Sequence, residues 1–142
     1  MSGKELRIGE IIAEHRGREG ALLPILHDVQ REFGCVDAEA ETVIADGMNL
    51  SRADVHGVVS FYHDFKQKPD LRPEVQICRA EACKARGVEA LMDAATSAAG
   101  GRVNLSTVYC LGLCSAGPSA RVGDRLHARL DAPALVKIIE NA

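Results

Sequence analysis

Four cysteines constrain this chain more than any other feature. They stand as two pairs, Cys78-Arg-Ala-Glu-Ala-Cys83 and Cys110-Leu-Gly-Leu-Cys114, separated by residues 84–109. Each pair begins where an alternating, strand-like segment ends: Glu74-Val75-Gln76-Ile77-Cys78 before the first, residues 103–109 before the second. The stretch from Glu81 to Ala99, rich in Ala, Leu, Met and Glu, reads as one long helix stopped by Gly100-Gly101. A strand–helix–strand unit joins parallel strands, so both pairs are expected on loops at one edge of a sheet. Four thiols would then converge. The chemistry that uses four convergent thiolates is a structural zinc ion or an iron–sulfur cluster.

Charge and hydropathy narrow the setting. No run approaches the ~18 apolar residues of a membrane helix. Met1 to Glu10 lacks the apolar core of a secretory signal. A cytoplasmic chain with no membrane partner is expected, and in that reducing compartment five cysteines do not suggest a disulfide framework. With 17 Lys+Arg against 20 Asp+Glu, scattered rather than clustered, no nucleic acid is expected either.

The rest of the chain divides in two. Up to about Phe65 the pattern is helical. Glu5–Arg16 sets Leu6, Ile8, Ile11 and Ile12 loosely on one side, and Ala21–Phe33 is stopped by Gly34. Asp37 caps Ala38–Ala45, closed by Asp46-Gly47, and Ser51-Arg52-Ala53-Asp54 opens a fourth helix through Val59. Lys66 to Pro73, polar and twice interrupted by proline, is a linker. Beyond it, Ser119–Val122 and Arg125–Arg129 flank a Gly123-Asp124 turn, and Asp131 caps a last helix with Pro133 in its first turn. The expected class is α+β: a helical bundle over residues 1–68, then a thioredoxin-like α/β domain of order β-α-β-β-β-α over residues 69–142.

Spacing bears on the metal. A zinc knuckle commonly closes with C-x2-C pairs, whereas the looser spacing here suits a larger two-iron cluster. The loop from Cys110 to Pro118 is rich in small residues that let backbone N–H groups approach sulfur. Arg79, Lys84 and Arg86 stand where they offset cluster charge, or they are simply solvated.

The two motifs, Ile77-Cys78-Arg79-x-x-x-Cys83 and Tyr109-Cys110-Leu111-Gly112-x-Cys114, resemble the signature of the thioredoxin-like [2Fe–2S] ferredoxin family. The first half carries Leu26-His27-Asp28-Val29-Gln30 and Val55-x-Gly57-Val58-Val59-Ser60-Phe61-Tyr62. It is similar to the helical domain that precedes that ferredoxin in the small iron–sulfur subunit of NADH dehydrogenase modules. The likeness runs from about Leu22 to Ala142. Residues 56–65 and 78–83 most resemble the gamma subunit of molybdenum-containing, NAD-dependent formate dehydrogenases. The small subunits of complex I and of NAD-linked hydrogenases are the alternatives. The resemblance implies that Cys78, Cys83, Cys110 and Cys114 hold one [2Fe–2S] cluster. It also implies that a partner flavoprotein holds FMN and NAD, and that this chain carries electrons without catalysing a reaction alone.

The nucleotide motifs fit that division. No Gly-x-Gly-x-x-Gly follows a strand, and Gly117 is followed by Pro118-Ser119 where a P-loop needs Lys-Ser or Lys-Thr. A zinc-stabilised interaction module is the rival from another class. Cys35 reads as a small buried apolar residue. His27 reads as packed or hydrogen-bonded and His127 as exposed. His56 and His63, flanking Phe61-Tyr62, read as core packing first and as a partner surface second. Each half has only about 70 residues, a length at which one core supplies little stability, so the helical half is expected to cover its apolar faces with a partner subunit.

Overall fold

Ser-x-x-acid sequences start two of the four helices in the first half, because the serine hydroxyl and the acid satisfy each other's orphan backbone donors. The computed structural model describes residues 1–142, which form two compact units, Met1–Asp70 and Leu71–Ala142. In the first unit α1 spans Gly3–Glu14. There the Ser2 Oγ accepts from the Glu5 N–H at 3.2 Å and the Glu5 carboxylate accepts from the Ser2 N–H at 2.8 Å. Helix α4, Arg52–Phe61, repeats the device with Ser51 and Asp54. Helix α2 covers Leu22–Phe33 and ends on Gly34 at φ +79°, a left-handed cap that glycine adopts without Cβ strain.

Helix α3, Ala38–Met48, departs from the expected stop at Asp46-Gly47 and runs on to Asn49, which takes the left-handed cap at φ 57°. Gly47 is there for packing. A Cβ on it would lie 2.7 Å from Ile12 Cδ1, so its absence lets α1 lie close against α3. The core of this unit is Ile8, Ile11, Ile25, Leu26, Val29, Ile44, Val55 and Val59, all essentially inaccessible. Leu6 is not part of it and stays half exposed. At about 100° per residue, Leu6 sits some 200° around the helix from Ile8.

Gln30 links α2 to the segment after α4. Its amide nitrogen donates to the Asp64 carbonyl, and its amide oxygen accepts the Lys66 N–H at 2.6 Å. The Val36 N–H donates to the Lys66 carbonyl at 2.7 Å.

Asp37 joins α1 to α3. Its side chain caps Ala40 at 2.9 Å and meets the Lys4 ammonium at 2.6 Å. The Lys4 hydrogen bond, then the Ala40 N–H, hold the Asp37 carboxyl below the usual aspartate range, and His15 does the same for Asp28. A carboxyl whose folded pKa is depressed contributes stability above its unfolded pKa of about 3.9, and that contribution is lost as pH falls through the folded value. The helical unit should therefore weaken on acidification below about pH 4. Asp37→Ala should cost about 1 kcal/mol at neutral pH and flatten that acid limb. Thermal unfolding followed by circular dichroism across pH 3–7 checks both; an unchanged acid limb in the variant would assign it to other carboxylates.

The second unit is a mixed four-stranded sheet of order β2-β1-β3-β4, with β1 Glu74–Cys78, β2 Asn104–Val108, β3 Ala120–Val122 and β4 Arg125–His127. Strand β1 pairs parallel with β2 and antiparallel with β3. The β3–β4 hairpin turns at Gly123-Asp124, as its residues predict. The Asp131 carboxylate caps α7, Ala132–Glu140, by accepting the Ala134 N–H at 2.9 Å.

The crossover between β1 and β2 is not one helix. It comprises α5 Glu81–Ala85, a 3-10 turn Val88–Leu91 and α6 Met92–Ala99. Gly87, at φ +95°, breaks the run, and the residue after it, Val88, is fully buried in the core with Val75, Ile77, Leu135 and Ile139. A first half of packed helices followed by a thioredoxin-like α/β sheet is the expected fold class.

Candidate metal centre

Parallel pairing of β1 with β2 sets where the thiols go. Cys78 at the end of β1 lies opposite Val108 at the end of β2, and the Arg79 N–H donates to the Val108 carbonyl at 2.9 Å. The chain segments that follow both strands thus leave the sheet at one end. Strand β3 runs the other way, so it starts there: the Cys78 N–H donates to the Ser119 carbonyl at 3.0 Å. Three segments meet at this end, carrying Cys78 and Cys83, Cys110 and Cys114, and Gly117 to Ser119.

The cysteines come together in twos. Cys110 and Cys114 are exposed, with their sulfurs 3.5 Å apart, while Cys78 and Cys83 are buried on the core of the unit. All four are free thiols. Two thiolates about 2.3 Å from one tetrahedral metal stand about 3.8 Å apart, so the exposed pair is already close to the span of two ligands to one metal. No group of three or more His, Cys, Asp or Glu side chains is gathered around one point. In a two-iron core each iron takes two protein thiolates, a division that two pairs match. The donor set is all sulfur. A Cβ on Gly117 would fall 2.8 Å from the Cys83 sulfur, so only glycine leaves this thiol its place. The residues present fit a [2Fe–2S] cluster.

The thiols differ in how readily they ionise. The Gly112 N–H, donating to the Cys110 sulfur at 3.3 Å, holds that thiol below its ordinary value, with Cys114 adding to the effect. Cys114 is pushed up in turn by Cys110. Burial pushes the Cys83 thiol up and the neighbouring Cys78 adds to this, while the hydroxyl of Ser119 pulls the other way. Cys110 is therefore the readier thiolate of the exposed pair. Its backbone is strained as well: at φ +132° it occupies a region glycine favours, a cost of about 1–3 kcal/mol that recurs at ligand-holding positions.

The other residues singled out by sequence take different places. Arg79 does not face the thiols unpaired. Its guanidinium makes a two-pronged ion pair with Glu89, at 2.8 and 2.6 Å, and Lys84 adds to the positive field on that carboxylate. The Arg86 stem lies along the Gly117 turn. Cys35 is buried in the first unit, where burial raises its thiol pKa. His27 packs its ring on Phe65 at 4.8 Å. Core packing does not hold for His56 or His63, both exposed. His56 Nδ1 instead sits 3.0 Å from the buried Glu41 carboxylate, the reason that carboxylate can lie in the helical core. His127 is half buried rather than exposed. Gly117 lies in the loop of small residues that the sequence marks out, and Ser119 is the site residue that motif reading passes over. Its signal is indirect, since a strand that starts after the second cysteine loop and runs antiparallel to β1 begins beside that loop.

Comparison with known proteins reaches the same ground. The sequence model of the thioredoxin-like [2Fe–2S] ferredoxins matches residues 8–142. The chain is 29% identical over 131 residues to the NADP-reducing hydrogenase subunit HndA of Solidesulfovibrio fructosivorans, covering 86% of this chain and 77% of that one. It is 32% identical over 131 residues to NADH-quinone oxidoreductase subunit 2 of Thermus thermophilus, covering 82% and 72%. Among solved structures, an NAD+-reducing [NiFe]-hydrogenase in the air-oxidised state superposes with a TM-score of 0.71 at 26% identity. That match covers 85% of this chain, which spans only 22% of the hydrogenase chain.

Proposed function

The chain belongs to the thioredoxin-like [2Fe–2S] ferredoxin family, and from that premise we infer that it is the electron-carrying small subunit of an NAD-linked oxidoreductase complex. Cys78, Cys83, Cys110 and Cys114 are its cluster ligands. The observation that carries this reading is the placement of both thiol pairs at one end of the β1–β2 sheet. When bound, the cluster supplies one-electron chemistry at a potential set by its surroundings. The chain's own residues hold it: the buried pair anchors one side in the core, and the exposed pair leaves the other side open to a redox partner.

That partner is a flavoprotein subunit binding FMN and NAD, and the parent complex is a molybdenum-containing formate dehydrogenase in the cytoplasm. Support for the parent complex comes from residues 56–65 and the Arg-Ala-Glu-Ala filling of the first pair. Support for docking comes from the first unit, where Phe61 and Tyr62 expose a T-shaped aromatic pair, with Phe61 74% accessible. No helix is long and apolar enough to cross a membrane. A hydrogenase or NADH-quinone oxidoreductase parent is the second reading, favoured by the names of the relatives at 29% and 32% identity.

Purification of the native complex under mild conditions, with metal analysis of what accompanies this chain, decides between them. Molybdenum and a flavoprotein containing FMN are the expected companions. Nickel would assign the chain to a hydrogenase, and a membrane arm to complex I.

A further inference from the structure

Ser119 carries an inference of its own. It is 1% accessible, one of only two buried polar or charged residues in the chain. Its hydroxyl oxygen lies 3.7 Å from the Cys83 sulfur, and every buried side-chain nitrogen and oxygen in the molecule has a partner. A buried hydroxyl is costly unless it is hydrogen-bonded, and the partner this one has is the Cys83 sulfur. In the free thiol either atom can donate. Once Cys83 is a metal-bound thiolate it has no proton, and the Ser119 O–H must be the donor. The backbone fixes the serine in place, because its carbonyl accepts the Cys78 N–H at 3.0 Å and Ala120 beside it pairs with Ile77 in the sheet.

The geometry points to Ser119 as a positioning residue that sets the reduction potential of the site, by donating an O–H···S hydrogen bond to the Cys83 thiolate. This rests on the cluster reading above and deepens it. Reduction by a partner flavin adds one electron and no proton, so the site gains one negative charge. A donor aimed at sulfur is worth more to the more negative state, and hydrogen bonds to cluster sulfurs shift potentials accordingly. Removing the hydroxyl therefore makes the site harder to reduce.

The test uses the full chain reconstituted with iron and sulfide, and redox titration followed by electron paramagnetic resonance. Ser119→Ala should load to the wild-type iron content and shift its midpoint to a more negative value. Ser119→Thr and Ser119→Val have nearly the same shape and differ in the hydroxyl, so the threonine variant should titrate at the more positive potential. Equal midpoints for Thr and Val, or an Ala variant that loads fully and titrates as wild type does, would overturn the inference. So would equal loss of loading in Thr and Val, which would give the position a packing role alone. A wild-type chain that takes up no [2Fe–2S] cluster would instead overturn the cluster reading on which this one rests.

Discussion

Cys110→Ser should yield a colourless protein on reconstitution, whereas Cys35→Ser should remain red-brown with two irons and two sulfides per chain. The contrast follows from position. Cys110 is exposed, already 3.5 Å from Cys114 and held toward the thiolate form by the Gly112 N–H. Cys35 lies in the other unit, buried at 4% accessibility. The four ligand cysteines also divide among themselves when stability without metal is measured. Cys110→Ser and Cys114→Ser change only exposed groups, so the metal-free protein should unfold within about 0.5 kcal/mol of wild type. Cys78→Ser and Cys83→Ser place a hydroxyl among Ile77, Val88 and Ala120 and should cost roughly 1–3 kcal/mol even without iron. Iron and sulfide analysis with visible absorption reads the first effect, and denaturant unfolding of the metal-free chains reads the second. A Cys110→Ser protein that kept its full iron content would remove this residue from the ligand set.

How much of the fold and site is legible in the residues depends on whether the signal is local. Asp37, Ser51, Asp131 and Gly34 act within one turn of chain, and their caps stand where the residues place them. The strand–helix–strand logic that brings the two cysteine pairs to one sheet end is nearly as local, because handedness and parallel pairing leave few alternatives. Propensity misleads where packing decides. Residues 81–99 have the composition of a single helix, yet Gly87 breaks the run so that the buried Val88 reaches the core. Gly47 looks like a helix stop and serves the approach of α1. Ser2-Gly3-Lys4-Glu5 holds a complete capping box that marks the true start of α1, ahead of the start that apolar periodicity suggests. Ser119 can be found only from the direction of β3, a tertiary fact. The pairing of His56 with Glu41, fifteen positions apart on different helices, has no local trace.

Gly117→Ala should be the most damaging single methyl in the second unit. At φ −70° the backbone of Gly117 suits any residue, so the substitution adds no torsional strain and its effect is purely one of space. The new carbon would lie 2.8 Å from the Cys83 sulfur, 3.3 Å from Arg86 Cδ and 3.5 Å from Cys83 Cα. Arg86 can swing its stem aside. Cys83 cannot, since its Cα belongs to α5 and its sulfur is held between Ser119 and its neighbour Cys78. Overpacking of this kind costs about 1–3 kcal/mol, which at about 1.4 kcal/mol per tenfold weakens the hold on the cluster by about 5- to 100-fold. Gly112→Ala separates space from conformation. Nothing stands within 4 Å of its Cβ position, but φ is +77°, so it should lose about 1–2 kcal/mol of fold stability while its N–H still reaches Cys110. Iron retained per chain in competition with a chelator should therefore fall steeply for Gly117→Ala and little for Gly112→Ala. The reverse order would mean that the conformation of the second cysteine loop, and not the room around Cys83, limits assembly of the site.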